Sequence, residues 1–142
     1  MRFTYTQAYE HLAKQNRSGE QDIDDKFKII GILRSEFGLY GLTGEVVPIG
    51  DDFYRLPDVF VKKPIPIAIE LDGGWHGTGD KITQKPRDVE RGCDYEDSGV
   101  KLIIINKEQT KGYKTKLVIE SMVKQGLKPK NTELQNSKGE KI

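Results

Sequence analysis

The feature that most constrains the fold of this chain is an apolar run near residue 100. Val100 and residues 102–105 are all aliphatic, so the run lacks the alternation of a strand with one face in water. Continuous runs of this kind are typical of strands that are covered on both faces. We therefore expect a buried central strand over residues 100–105, in a sheet flanked by helices.

Helical spacing and turn residues predict the other elements. Helices are expected at about 6–14, from a capping box at Ser18 and Gln21 to Phe37, from Pro86 to Ser98, and at 114–124. Extended segments are expected at 45–48, 53–61 and 66–71, joined as an antiparallel meander. The predicted order is α-α-β-β-β-α-β-α, which is an α/β domain with a mixed sheet of about four strands.

The apolar residues of the second helix predict which of its faces is buried. Ile23, Phe27, Ile30 and Phe37 lie near helical spacing, so they are expected to face the core. His11, on the first helix, is expected to be structural or exposed.

The length of the chain predicts one domain. The sequence has 142 residues, which we divide into an N-terminal extension (1–19), a core domain (20–125) and a polar, mobile tail (126–142). No run approaches the ~18 apolar residues of a membrane span, and the first residues lack the apolar stretch of a secretory signal, so a cytoplasmic location is expected. The single cysteine, Cys93, excludes an internal disulfide and a cysteine-rich zinc site.

The net charge of +1 hides an asymmetry along the chain. Residues 1–80 hold 9 Lys and Arg against 13 Asp and Glu, whereas residues 81–142 hold 14 against 9. A phosphate-binding surface beside a carboxylate-lined cation site would have this pattern, and so would two solvated faces.

Three carboxylates lie near predicted strand ends. Glu70 and Asp72 share one strand face because the side-chain period is two, and a hairpin partner can bring Asp58 beside them. Clustered carboxylates repel one another unless they are protonated or bridged by a hard cation such as Mg²⁺ or Mn²⁺. The alternative is that all three only mark strand ends and turns.

These residues belong to a longer pattern that resembles a known superfamily. The pattern comprises residues 56–58 (Leu-Pro-Asp), 67–76 (ending Gly-Gly-Trp-His), Asp88, Arg91, Tyr95, Gly99 and residues 100–106. It is similar to the PD-(D/E)XK, or restriction-endonuclease-like, superfamily, and within it to the very-short-patch repair endonucleases. The resemblance covers about residues 20–107.

The resemblance implies a metal site and a proton-transfer residue. Asp58, Glu70 and the backbone carbonyl of Leu71 would hold the metal ion. Asp72, also a catalytic candidate, stands where the standard pattern has lysine, which leaves the base or charge stabiliser unassigned. His76 would activate water or protonate the leaving oxygen.

Helical residues complete the implied site. An acid on the preceding helix is expected, and Asp25 is favoured over Asp24 and Glu36. Asp88 and Arg91 match a helical pair that orients the site or contacts phosphate.

DNA contacts are expected around the same loop. Trp75 would stack on bases or wedge between them, and Lys81, Lys85, Arg87 and Arg91 would bind backbone phosphates. The predicted activity is Mg²⁺-dependent DNA endonuclease, with very-short-patch-repair-like nicking first and Holliday-junction resolution, which needs a homodimer, second. An alternative of another class is a nucleic-acid-binding module that does not cleave.

Overall fold

The computed structural model describes residues 2–18, 23–50, 52–72 and 86–130. The helices in these ranges are α1 (Tyr5–Ser18), α2 (Ile23–Ile32, continued by a π-helical turn over Leu33–Phe37), α3 (Pro86–Asp97) and α4 (Thr115–Lys124). The strands are β1 (Gly41–Leu42), β2 (Val47–Pro48), β3 (Tyr54–Arg55), β4 (Val59–Val61), β5 (Ile67–Asp72) and β6 (Lys101–Asn106). The described part of the chain is therefore a mixed α/β fold.

Four of the strands form one mixed sheet in the order β1-β4-β5-β6. β4 is antiparallel to β1 and β5, while β5 and β6 are parallel, with Glu70 opposite Ile104. β2 and β3 form a separate antiparallel hairpin. The mixed four-stranded sheet with flanking helices confirms that part of the sequence prediction.

The expected meander is only partly observed, because segment 53–61 is divided into two strands. Its first half, β3, pairs in the small hairpin, and its second half, β4, pairs in the main sheet. Pro57 lies between the halves and has no backbone N–H to donate to a ladder, so continuous pairing ends there. Asp58 therefore precedes a strand at a break in the sheet.

Residues of odd number in the sheet face α2 and α4. Val59, Ile69 and Ile103 are fully buried there, in one cluster with Leu33 and Met122. The strand period of two places the intervening residues on the opposite face. The two faces thus bury different parts of the chain.

The opposite face of the sheet is covered by α3 and the β2–β3 hairpin. Phe60 and Ala68 pack there with Val47 and Tyr95. Glu70 shares this face, and it follows Ala68 where the apolar residues of β5 end. The Glu70 carboxylate therefore lies at the edge of the apolar cluster on this face of the sheet.

The prediction that 100–105 is a central strand is wrong. Among the described strands, β6 lies at the edge of the sheet. Ile103 and Ile105 on one face are buried, whereas Leu102 and Ile104 on the other are partly buried. The side chain of Gln125 satisfies the outer edge of the strand, because Nε2 donates to the Ile104 carbonyl at 2.8 Å and Oε1 accepts from the Ile104 N–H at 2.9 Å. An amide side chain thus replaces a neighbouring strand.

The two ends of the described chain belong to the folded domain. Thr4 and Gln7 form a capping box at the start of α1, with side chain to backbone distances of 3.2 and 3.0 Å, and α1 extends to Ser18, four residues beyond the expected end. The capping box expected at Ser18 involves Gln21, which lies outside the described residues. Leu127, expected in the tail, is buried in the core. None of the helices in these ranges has the length and apolar character that crossing a membrane requires.

Candidate functional site

A cavity of about 310 Å³ lies where α1, α2 and α3 meet the ends of the strands. Its polar lining comprises His11 and Gln15 from α1, Lys26 from α2, Thr43 after β1, Arg55 from β3, Asp58 just before β4, Glu70 from β5 and Arg91 from α3. The volume is at the lower end of the roughly 300–1,000 Å³ typical of small-ligand sites. It suits one small polar group better than a macromolecular segment.

Asp58 is held at this cavity by the neighbouring strand. Its Oδ2 accepts a hydrogen bond from the backbone N–H of Leu71 at 2.7 Å, and its Oδ1 lies 3.9 Å from Nζ of Lys26. The side chain remains 28% exposed, so it is accessible from the cavity. The strand break at Pro57 and the antiparallel pairing of β4 with β5 together give Asp58 this position.

Glu70 projects toward α3 and is largely buried. Its Oε2 accepts a hydrogen bond from the Tyr95 hydroxyl at 3.1 Å, and its Oε1 lies 3.7 Å from Nη1 of Arg91. Burial raises the pKa of the Glu70 carboxyl to about 7, and the nearby Asp58 carboxylate adds to the increase, while Arg91 and Tyr95 act in the opposite direction. Near neutral pH this carboxyl is therefore balanced between its two protonation states.

Three cationic side chains line the same cavity. Lys26 is 9% exposed and Arg55 only 2% exposed, which is unusual for these residue types. Arg91 is the third, on α3. A cavity with two carboxylates and three cations has the composition expected of a site for an anion, or for an anion together with a metal ion.

Arg55 is anchored by an ion network that includes the first described residue of the chain. Its Nε donates to Oδ2 of Asp94 at 2.8 Å, and Nη2 of Arg2 donates to Oδ1 of the same carboxylate at 2.9 Å. Arg55 Nη2 is also 3.4 Å from Oε1 of Glu90. The hydrogen bond from Arg2 lowers the pKa of Asp94, and Arg55 lowers it further against the effect of burial. The network joins β3, α3 and the N-terminal segment.

Asp58 and Glu70 are the carboxylates of the lining that could act as oxygen ligands of a hard divalent cation. They share one cavity, and the Asp58 carboxylate contributes to the raised pKa of Glu70, a cost that a bridging cation would relieve. In an extended strand the carbonyl of a residue points to the same side as its N–H, so the Leu71 carbonyl is directed toward the Asp58 side of β5. Within the described ranges, no group of three or more His, Cys, Asp or Glu side chains is close enough together to hold a metal ion.

The structure brings together three of the residues predicted from the sequence: Asp58, Glu70 and Arg91. Asp72 ends β5 half-buried and is not part of the cavity lining, although strand periodicity places it on the same face as Glu70. Asp25 is half-buried on α2, outside the lining.

The remaining predicted residues lie wholly or partly outside the described structure. Trp75, His76, Lys81 and Lys85 lie outside the described residues, and the backbones of Arg87 and Asp88 lie in α3 while their side chains are not described.

Three ionisable residues of the cavity, Lys26, Arg55 and His11, were not predicted from the sequence as site residues. The sequence did not predict Lys26 because it indicated a different face of α2 as buried. Lys26, Ile29 and Leu33 are buried, whereas Phe27, which was expected in the core, is 57% exposed. Arg55 has one available signal, since it immediately precedes the Leu-Pro-Asp of the superfamily-like pattern. His11 has none, because its position depends on where α1 packs.

The chain matches no protein-family model, no curated protein and no solved structure. The candidate function therefore rests on the residues and geometry of this cavity.

Proposed function

We propose that this protein is a Mg²⁺-dependent DNA endonuclease of the PD-(D/E)XK, restriction-endonuclease-like type. The observation that carries the proposal is that Asp58, just before β4, and Glu70, on the adjacent strand β5, line one cavity together with Lys26, Arg55 and Arg91. The break at Pro57, the parallel pairing of β5 with β6 and the helices on both faces are consistent with that type of core.

Phosphodiester hydrolysis requires neutralisation of the phosphoryl charge, an activated water and a protonated leaving oxygen. Asp58, Glu70 and the Leu71 carbonyl are the residues that would hold the metal ion, which when bound supplies Lewis-acid polarisation of the phosphoryl group. Lys26 and Arg91 lie beside the two carboxylates and would attract the phosphate. Lys26 thus supplies a positive charge that the sequence motif lacks at Asp72.

The size of the cavity agrees with a single phosphodiester group entering it. A cavity of about 310 Å³ is far too small to hold a DNA duplex, so the rest of the nucleic acid would lie on the surface outside. The excess of basic residues after position 80 would bind that backbone and make affinity sensitive to salt.

A second candidate is a nucleic-acid-binding module that does not cleave. One observation favours it: Asp58 and Glu70 each have a hydrogen-bond donor and a nearby cation, so their charges are partly balanced without a metal ion. Under this alternative the cavity binds phosphate without hydrolysing the ester.

A cleavage assay separates the two candidates. Linear, nicked, mismatched and four-way DNA are incubated with the wild type in Mg²⁺, in Mn²⁺ or in EDTA, and with the variant Asp58→Asn. Asp97→Asn is the matched control, because Asp97 is an exposed carboxylate on α3 away from the cavity. We expect metal-dependent cleavage of at least one substrate and a loss of about 100-fold or more in Asp58→Asn alone.

Two results would overturn the proposal. Binding of DNA without cleavage of any substrate favours the binding module, and Asp58→Asn cutting as fast as the wild type shows that the site is elsewhere. The preferred substrate then indicates the biological role, because nicking at mismatches is expected of a repair enzyme and symmetric cutting of four-way DNA by a self-associated chain is expected of a junction resolvase.

A further inference from the structure

The first helix forms one wall of the cavity. Phe3, His11 and Gln15 line it together with the two carboxylates. The helix is fixed there by Ala8, which is fully buried, and by a backbone bridge between Phe3 and Tyr54 with N···O distances of 2.8 and 2.9 Å. The N-terminal segment, to which the sequence pattern assigns no role, is therefore part of the site.

The imidazole of His11 is held by two neighbours on the same segment. The ring of Phe3 packs against it with a centroid distance of 5.1 Å, and the Gln15 amide nitrogen lies 3.1 Å from His11 Nε2. When the amide N–H faces the ring, Nε2 accepts and the proton of the neutral ring lies on Nδ1. Rotation of the amide by half a turn presents its oxygen to an imidazolium instead, so Gln15 can hold the ring in both protonation states.

The other polar groups of the cavity have other roles or do not release protons. Glu70 accepts the hydrogen bond of Tyr95 and, as a ligand of the metal ion, would be ionised. The guanidinium groups of Arg55 and Arg91 do not release protons at neutral pH. Asp58 already accepts a hydrogen bond, and Lys26 lies against it. Among the described residues His11 supplies the only imidazole at the cavity, and imidazole is the side chain that most often exchanges protons near neutral pH.

We infer that His11 is a catalytic residue of this site and donates the proton that the leaving oxygen of the phosphodiester takes up. The inference rests on the proposed function. In this step the water oxygen forms a bond to phosphorus and releases its proton to solvent. The bond from phosphorus to the leaving oxygen breaks with its electron pair, and that oxygen takes a proton from the His11 imidazolium, which is reprotonated by solvent.

The inference is tested with a substrate that needs no proton donor. Sulfur replaces the leaving bridging oxygen of the scissile linkage, which is identified from the ends of the wild-type products. A thiolate leaves readily without protonation because thiols are far more acidic than alcohols. The variants are His11→Gln, His11→Ala, the exposed control Lys14→Ala on the same helix, and His76→Gln, and melting curves of each variant establish that it is folded.

We expect both His11 variants to cleave ordinary DNA about 100-fold more slowly than the wild type, and to cleave the sulfur-substituted DNA within about threefold of the wild-type rate. Lys14→Ala should match the wild type on both substrates.

Three results overturn the inference. The first is His11→Gln cutting ordinary DNA at the wild-type rate, the second is an equal loss of its activity on both substrates, and the third is a sulfur-rescued defect in His76→Gln instead. A wild type that cuts neither substrate overturns the proposed function and this inference with it, whereas an active wild type with any of the three results overturns this inference alone.

Discussion

The charge on Glu70 destabilises the metal-free protein, and its removal should show this directly. Burial and the neighbouring Asp58 raise the pKa of Glu70 from its ordinary value of 4.5 to about 7. Because the pKa is higher in the folded chain than in the unfolded chain, the folded chain binds this proton more tightly. The stability linked to Glu70 is therefore highest below pH 4.5 and falls as the pH rises to about 7, above which the full cost is present.

The variant Glu70→Gln isolates this cost. Each pKa unit corresponds to about 1.4 kcal/mol, so the shift amounts to roughly 3 kcal/mol above pH 7. Glutamine keeps the shape of the side chain and can accept the hydrogen bond of Tyr95, but it loses the attraction of Arg91, 3.7 Å away. We expect the stabilisation of the variant relative to the wild type to be about 2–3 kcal/mol larger at pH 8 than at pH 5.

Urea unfolding of both proteins at the two pH values, with a chelator present, measures this difference. Glu120→Gln is the control, since Glu120 is exposed on α4 and should change stability little at either pH. The reasoning is refuted if Glu70→Gln is equally or less stabilising at pH 8 than at pH 5.

Four further substitutions test the packing of the domain by urea unfolding. Asp94→Asn should cost about 3–5 kcal/mol, because it removes the charge partner of the buried Arg55; a cost below about 1 kcal/mol would show that the network is not structural. Gly41→Ala should cost about 1–3 kcal/mol, because the added Cβ would lie 2.7 Å from a core side chain. Gly92→Ala in α3, where a Cβ would have nothing within 4 Å, should stabilise the protein by up to about 1 kcal/mol. Equal effects of the two substitutions on stability would contradict the structure. Gln125→Ala should cost about 1–2 kcal/mol and increase self-association through the exposed edge of β6, and an unchanged stability would refute its edge role.

The two carboxylates of the site, Asp58 and Glu70, could be predicted from the sequence because their signals are local. Glu70 ends an apolar strand, and Asp58 begins one after a proline, so pairing of two consecutive strands suffices to bring them together. Asp72 follows the same alternation, but the end of β5 carries it outside the cavity lining. Local periodicity predicts which face a side chain takes, and it does not predict the boundary of a cavity.

The cationic residue Lys26 could not be predicted from the sequence as part of the site, because more than one face of α2 has apolar residues at helical spacing. Of the residues expected in the core, Phe37 is buried and Ile30 packs against the core, but Phe27 is exposed. The buried residues of this helix also include Ile29 and Lys26. The ion pair with Asp58 joins residues of different elements, so it depends on the tertiary structure. A lysine at this position therefore looks like a solvent-exposed residue in the sequence.

Long-range packing also determines the role of the N-terminal segment. Arg2 and Asp94 are 92 positions apart, yet their hydrogen bonds hold the start of α1 beside α3. The edge position of β6 has a similar origin, because an apolar run shows that both faces are covered but not how many strands are adjacent.

The most direct test of the central claim is the rate of Mg²⁺-dependent cleavage of supercoiled plasmid DNA by the wild type and by Glu70→Gln under single-turnover conditions. We predict that the wild type nicks the plasmid and that Glu70→Gln, although more stable at pH 8, is slower by about 100-fold or more, while Glu120→Gln retains the wild-type rate. Equal rates for the wild type and Glu70→Gln would contradict the claim that Asp58 and Glu70 form the catalytic site.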